Sequence, residues 1–145
     1  MIMDGLSPVA LCPSLDVIDG GKGVRFGVIA GGRKTTGFVI RFNGVAYAYL
    51  NRCAHVPIEL DWNEGEFFES SGLYLMCATH GAIYAPKTGR CEGGPCRGGK
   101  LRPIGVTEVG EYLFWQPDAF VLPVPLPEEN ILSKEKSSDE QQRTK

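Results

Sequence analysis

Two short clusters of cysteine and histidine are the residues of this 145-residue chain whose types and spacing could do chemistry. The stretch Cys53-Ala54-His55 is followed by Cys77-Ala78-Thr79-His80, and the chain contains no histidine outside these two clusters. Thiolate and imidazole ligands together suit zinc or an iron-sulfur cluster better than calcium or magnesium. The spacing therefore predicts a site with four metal ligands.

The grouping of the ligands bears on the choice between zinc and an iron-sulfur cluster. A Cys2His2 zinc finger usually groups its cysteines in one segment and its histidines in another. Here each segment holds one of each, which suits two sulfide-bridged irons, with Cys53 and Cys77 on one iron and His55 and His80 on the other. We expect one [2Fe-2S] cluster as the cofactor, and a zinc-stabilised binding module is the alternative.

The ligand pattern resembles that of the Rieske iron-sulfur family, which is Cys-x-His, a spacer, and then Cys-x-x-His-Gly. Gly81 completes the second half of that pattern. The likeness covers roughly Gly23 to Pro117 and includes Gly93-Gly94-Pro95, which resembles the proline loop that covers the cluster in that family. The resemblance implies supporting roles around the cluster for Gly81, Tyr84 and Pro95. Pro57 is predicted to stiffen the first loop after His55, and its alternative is an ordinary loop proline.

Two of these supporting residues allow more than one interpretation. Gly81 either lets the backbone turn sharply or approach a bridging sulfide, or is an ordinary turn glycine. Tyr84 aligns with a tyrosine that donates a hydrogen bond to a ligand sulfur in high-potential members of the family. Its alternative is to pack its ring in the core with the hydroxyl at the surface.

The interval between the two clusters looks slightly long for the family. The polar, glycine-containing stretch Asp61 to Glu66 is therefore predicted to be a surface insertion that leaves the ligands unchanged.

Length and composition predict one globular domain with no nucleic-acid partner, since the net charge is only -2. No run approaches the roughly twenty apolar residues of a membrane span, and the N-terminus does not resemble an export signal. We expect a cytoplasmic protein without a membrane partner. Its expected organisation is an N-terminal segment (1–22), a Rieske domain (23–123) and a charged tail (124–145).

Three further cysteines lie outside the predicted ligand set. Cys91 and Cys96 are close enough in sequence to form a disulfide, but a reducing cytosol favours two free thiols, which is the prediction here. Neither these residues nor Cys12 receives a role.

Short strands separated by turns predict an all-β fold of two or three small antiparallel sheets, with the ligand loops at one end. The predicted strands are 24–29, 37–42, 45–50, 73–76, 82–85, 104–108 and 112–116. Asn43-Gly44 between two apolar runs is the strongest local indication of a hairpin.

The number of histidines limits the function. Rieske oxygenases need a separate non-haem iron held by two histidines and a carboxylate, and both histidines of this chain already belong to the clusters. The resemblance therefore implies a soluble electron carrier and not an enzyme, with a flavoprotein reductase as donor and a terminal oxygenase as acceptor. The alternative within electron transfer is the small subunit of a nitrite-reductase-like complex.

Overall fold

The computed structural model describes residues 7–54, 58–61 and 63–124, and within these ranges ten strands form two antiparallel sheets. The strands are β1 (Val9–Pro13), β2 (Val24–Ala30), β3 (Arg33–Phe42), β4 (Val45–Leu50), β5 (Leu75–Met76), β6 (Ile83–Tyr84), β7 (Cys91–Gly93), β8 (Pro103–Val109), β9 (Tyr112–Gln116) and β10 (Val121–Pro123). A short 3-10 helix, Ser14–Asp16, follows β1. The predicted all-β class is confirmed. Within the described ranges no helix is long and apolar enough to cross a bilayer.

The larger sheet has seven strands in the order β1-β9-β8-β4-β3-β2-β10. Its centre contains the predicted hairpin, in which Asn43 and Gly44 adopt φ values of 52° and 83° between β3 and β4. Positive φ at both turn residues matches the right-handed twist of the paired strands. The carboxylate of Asp19 accepts hydrogen bonds from the backbone N–H of both residues, at 2.8 and 3.0 Å, which holds the turn in place.

The smaller sheet, β5-β6-β7, lies next to the proline loop and presents the second ligand loop. Leu75 pairs with Tyr84, and Ile83 pairs with Gly93. Cys77, a predicted ligand, is the first residue after β5. The short β5–β6 pairing therefore fixes both ends of the second ligand loop.

The observed strands agree best with the predictions where the apolar pattern is long. The bounds of β4 and β9 are confirmed, whereas β5 and β6 are shorter than the predicted 73–76 and 82–85. Three strands were not predicted, namely β1, β7 and β10. Strand β1 falls within the expected N-terminal segment yet pairs with β9, and β10 pairs with β2.

Two apolar clusters form the core. One lies on the larger sheet and includes Val28, Leu113 and Trp115. The other lies between that sheet and the small sheet, and it contains the cysteines of both ligand loops. Its fully buried members are Phe38, Ile40, Leu60, Phe67, Leu75, Cys77, Ala82, Tyr84 and Leu101. The predicted ligand sulfurs are thus part of the hydrophobic core.

A carboxylate orders the turn before β10. Asp118 accepts hydrogen bonds from the backbone N–H of Phe120 and Val121, and its side chain forms a salt bridge with Arg102 at 3.1 Å. Partial burial raises the pKa of Asp118, but these donors outweigh that effect and hold the pKa below its usual value.

Candidate metal centre

The two cysteines of the predicted site lie at the base of the ligand loops, and a histidine lies at the surface. Cys53 follows β4 and is 3% exposed, while Cys77 follows β5 and is completely buried. His80 is exposed. His55 and Pro57 lie outside the described residues, so their ligand and supporting roles stay predictions.

Backbone hydrogen bonds close each ligand loop and join the two. The N–H of Cys53 donates to the carbonyl of Ile58, and the N–H of Cys77 donates to the carbonyl of Ala82, both at 2.8 Å. The N–H of Ala78, in the second loop, donates to the carbonyl of Leu60, just beyond the first loop, at 3.0 Å. The loops therefore form one hydrogen-bonded unit instead of two independent surface segments.

Gly81 ends the second ligand loop in a left-handed conformation. Its φ is +77°, which glycine adopts without the cost that a side chain would bring, and its N–H donates to the carbonyl of Cys77 at 2.9 Å. This geometry accounts for Gly81 as a tight turn immediately after His80. The other predicted possibility, close approach to a bridging sulfide, stays a prediction.

The sulfur of Cys77 has hydrogen-bond donors in its own loop. Burial raises the pKa of the Cys77 thiol, and the neighbouring Cys53 side chain raises it further. The backbone N–H groups of Thr79 and His80 donate to the sulfur and act in the opposite direction, because they stabilise the thiolate. A cation would be needed to keep two adjacent buried sulfurs deprotonated, and a metal cluster supplies that charge.

Tyr84 connects the small sheet to the first ligand loop. Its ring is completely buried, and its hydroxyl oxygen lies 3.2 Å from the sulfur of Cys53. The same oxygen accepts a hydrogen bond from the N–H of Ala54 at 3.0 Å. Burial and the bond to Cys53 both raise the pKa of the tyrosine, so its hydroxyl keeps its proton and can donate it to a thiolate. The alternative position, with the hydroxyl at the surface, does not describe this side chain.

Two buried polar side chains form a hydrogen-bonded network next to the first ligand loop. Asn51, two residues before Cys53 and 1% exposed, donates from its amide nitrogen to Asp61 at 3.0 Å and accepts from the N–H of Leu60 at 2.9 Å. Asp61 also accepts from the N–H of Gly65 at 2.9 Å. Buried polar groups are stable only when they are paired in this way.

The network corrects the prediction that Asp61 to Glu66 is a surface insertion. Asp61 is 7% exposed, and Gly65 is buried as well, although Asn63, Glu64 and Glu66 are exposed. The polar composition of the stretch concealed its role, because a buried aspartate and an exposed one look alike in sequence. The signal that could have revealed it is Asn51, a polar residue at the end of an apolar strand and close to a ligand.

The proline loop packs on both ligand loops through glycines. Gly94 has a φ of +82°, and a Cβ on it would lie 2.9 Å from the carbonyl oxygen of Gly81. A Cβ on Gly99 would lie 2.9 Å from the Cβ of Ala54. Pro95 itself is exposed. The loop therefore packs against both ligand loops, and side chains at these two glycines would force it away. The supporting role of Pro95 at the cluster stays a prediction.

The prediction of free thiols at Cys91 and Cys96 is wrong, because the two residues form a disulfide. The chain reverses between them through Gly94, which brings their Cα atoms to 5.6 Å, within the range a disulfide spans. The disulfide joins β7 to the end of the proline loop.

The residues present fit a [2Fe-2S] cluster. Two buried thiol side chains, backbone N–H donors directed at a sulfur, and an exposed imidazole at the rim are the donors such a cluster uses. The described residues do not bring three metal-ligating side chains together, and His55, the fourth predicted ligand, lies outside them.

Comparisons with known proteins agree with this description. Among solved structures, the chain is similar to the ferredoxin of carbazole 1,9a-dioxygenase from Nocardioides aromaticivorans IC177, with a TM-score of 0.60 and 23% identity over 77% of this chain and 99% of that one. A complex of reduced oxygenase and oxidized ferredoxin in carbazole 1,9a-dioxygenase matches with a TM-score of 0.59 and 19% identity, covering 75% of this chain and 92% of that one.

A larger protein shares the fold over part of its length. The quaternary ammonium Rieske monooxygenase CntA matches with a TM-score of 0.60 and 16% identity, over 88% of this chain but 34% of that one. At these identities the similarities establish the fold alone.

No curated protein sequence matches the chain. The model of the Rieske [2Fe-2S] domain, a family that carries one [2Fe-2S] cluster, matches residues 7–111. On that match, which spans most of its length, the chain belongs to the Rieske [2Fe-2S] domain family.

Proposed function

We propose that this chain is a cytoplasmic one-electron carrier that receives electrons from a flavoprotein reductase and delivers them to a terminal oxygenase. In this proposal Cys53 and Cys77 ligate one iron of the cluster, and His55 and His80 ligate the other. When bound, a [2Fe-2S] cluster supplies the one-electron couple. The observation that carries the proposal is the contrast between two buried cysteines and an exposed His80 in one Rieske fold.

In this proposal the buried cysteines and the exposed His80 have different roles. The hydrophobic core around Cys53 and Cys77 excludes water from the sulfur side, and Tyr84 together with the N–H groups of the second loop supplies hydrogen bonds to the sulfurs. The exposed His80 is the side from which an electron can reach a partner. Supporting groups of this kind tune the potential of a cluster without ligating it.

The carrier role also rests on what the chain lacks. Its two histidines are both assigned to the cluster, so this chain has no histidines left for the non-haem iron of an oxygenase. Two similar structures are a ferredoxin of carbazole 1,9a-dioxygenase and a ferredoxin–oxygenase complex, which supports an oxygenase as the acceptor.

The two alternatives have less support. The likeness to a nitrite-reductase-like subunit lies in Cys96, which resembles a free cysteine near the proline loop of such subunits, but Cys96 here forms a disulfide with Cys91. A zinc-stabilised module does not agree with membership of a [2Fe-2S] family.

The test is a reconstituted electron-transfer chain. A nicotinamide-dependent flavoprotein reductase, the cluster-loaded protein and a Rieske oxygenase of the carbazole-dioxygenase type would be mixed without any other ferredoxin. We expect the visible absorbance of the protein to bleach on reduction and product to form only when it is present. The Cys53→Ser variant, which loses a ligand, is the control and should support no product. Equal product formation with and without the wild-type protein would contradict the proposal.

A further inference from the structure

A group of exposed basic residues lies beside the candidate site and is not used by the proposed ligands. The chain has a net charge of -2, yet the stretch 86–103 contains five basic residues and one acidic residue, Glu92. Four of the basic residues are exposed. Three of them, Arg90, Arg97 and Lys100, form what we call the basic surface, whereas the fourth, Lys87, lines a different cleft. The charge of this stretch thus has the opposite sign to the net charge of the chain.

Two members of the basic surface are held opposite each other. Arg90 and Lys100 are partners in an isolated antiparallel β-bridge, and they line a cleft of about 330 Å³ together with the backbone of Gly98 and Gly99. Like charges directly opposite each other across paired strands are destabilising. An anionic group in the cleft would remove that cost.

Among the described residues, the basic surface lacks anionic partners, unlike three other arginines, although the exposed Arg33 and Arg52 also form no salt bridge. Arg25, Arg41 and Arg102 each form a salt bridge with a carboxylate. Across the described ranges, no salt bridge engages Arg90, Arg97 or Lys100. Their charges are therefore available to an external carboxylate.

The basic surface borders both ligand loops. It lies on the segment that contains Gly94 and Gly99. Gly94 packs against Gly81 of the second ligand loop, and Gly99 packs against Ala54 of the first. The exposed Glu66 lines a separate cleft with Ala78 and Thr79 of the second ligand loop. Basic residues and an acidic residue thus line separate clefts next to the ligand loops, which would favour one orientation of a charged partner.

We propose that the basic surface docks the electron-transfer partner through a carboxylate-rich face of that partner, with the cleft between Arg90 and Lys100 receiving an acidic side chain. This inference rests on the proposed electron-carrier function and specifies the chemistry of its partner. Docking beside the ligand loops places the partner next to the exposed His80 side of the site. A transient redox contact needs only a small interface of this kind.

The salt dependence of electron transfer tests the proposal, because net charge and local charge predict opposite signs. The dithionite-reduced, cluster-loaded protein would be mixed by stopped flow with cytochrome b5, an acidic acceptor, and separately with cytochrome c, a basic one. We expect the rate constant for the acidic acceptor to fall by roughly tenfold as ionic strength rises from about 10 mM to about 0.5 M. Net charge alone would make that rate constant rise.

Charge-reversal variants assign the effect to the basic surface. Lys100→Glu and Arg97→Glu should each lower the low-salt rate constant for cytochrome b5 by roughly threefold or more and raise the rate constant for cytochrome c. The matched control is Lys87→Glu, which has the same change in charge in the same segment. Lys87 lines a cleft with Ala46 and Val106 of the larger sheet and should leave both rate constants within about 1.5-fold.

The outcomes separate the two proposals. A rate constant for cytochrome b5 that rises with salt, or an equal effect of Lys87→Glu and Lys100→Glu, would overturn the docking surface while leaving the carrier function in place. Failure of the loaded protein to reduce either acceptor would overturn the carrier function and the docking surface with it.

Discussion

Removal of the Tyr84 hydroxyl is the substitution whose effect the structure specifies best. Tyr84→Phe keeps the buried ring but removes the oxygen that lies 3.2 Å from the Cys53 sulfur and 3.0 Å from the Ala54 nitrogen. A hydrogen bond to the sulfur stabilises the reduced state more than the oxidised state, because reduction adds negative charge to the cluster and its ligands. The midpoint potential of the variant should therefore fall.

The size of the fall follows from the strength of the bond. Hydrogen bonds to charged groups contribute about 1.5–3 kcal/mol, and only the difference between the two redox states, about 0.5–1.5 kcal/mol, affects the potential. A tenfold change in a one-electron equilibrium is about 59 mV. The expected decrease is about 20–60 mV, measured by voltammetry of the cluster-loaded protein at one pH.

Tyr49→Phe is the matched control for this experiment. Tyr49 is also buried, at 2% exposure, but its hydroxyl donates to the carbonyl of Pro86 at 2.7 Å and not to a ligand sulfur. The control should lower stability by about 1 kcal/mol and leave the potential unchanged. An unchanged potential in Tyr84→Phe, or an equal decrease in both variants, would refute the role of Tyr84.

The remaining predictions concern the proline loop, the disulfide and the turn before β10. Gly94→Ala places a Cβ 2.9 Å from a backbone oxygen and should destabilise the protein by about 2–3 kcal/mol in urea unfolding, whereas Gly98→Ala, which has a similar φ of +76° in open space, should cost only about 1 kcal/mol. Equal losses would show that the loop does not pack as described. Alkylation of the unfolded, unreduced protein should leave Cys91 and Cys96 unmodified, and the double serine variant should lose about 2 kcal/mol of stability; labelling of both cysteines would contradict the disulfide. The pKa of Asp118 is lowered by folding, so its stabilisation is present above the unfolded pKa and is lost as pH falls through the folded value. Asp118→Asn should therefore cost about 1 kcal/mol or less at pH 7 and nothing well below about pH 4, and a cost that does not change with pH would contradict this.

The candidate site could be predicted from sequence because its chemistry is local. Each ligand pair is contained within four residues, and each follows a strand with a clear apolar pattern, so spacing and strand signals agree on one position. The hairpin at Asn43-Gly44 was predictable for a similar reason, since two adjacent residues that tolerate positive φ determine the turn.

The parts that were not predicted depend on contacts between distant residues. Strand β1 is interrupted by a register shift between Ala10 and Cys12, and β7 has only three residues, so neither has the alternating pattern that reveals a strand. Asp61 resembles any surface aspartate until the fold brings it to Asn51, ten residues earlier. The Cys91–Cys96 disulfide depends on the path of the proline loop, which composition does not encode.

Ligation of the cluster by two histidines is tested most directly by pulsed EPR on the dithionite-reduced protein after labelling of histidine with ¹⁵N. Because the chain contains two histidines, the label marks only the two proposed imidazole ligands. Ligation of one [2Fe-2S] cluster by two cysteines and two histidines predicts about two irons and two acid-labile sulfides per chain, and a reduced cluster whose unpaired electron couples to two labelled nitrogens. A colourless protein that contains zinc, or a reduced cluster with no coupling to labelled nitrogen, would contradict ligation by Cys53, His55, Cys77 and His80.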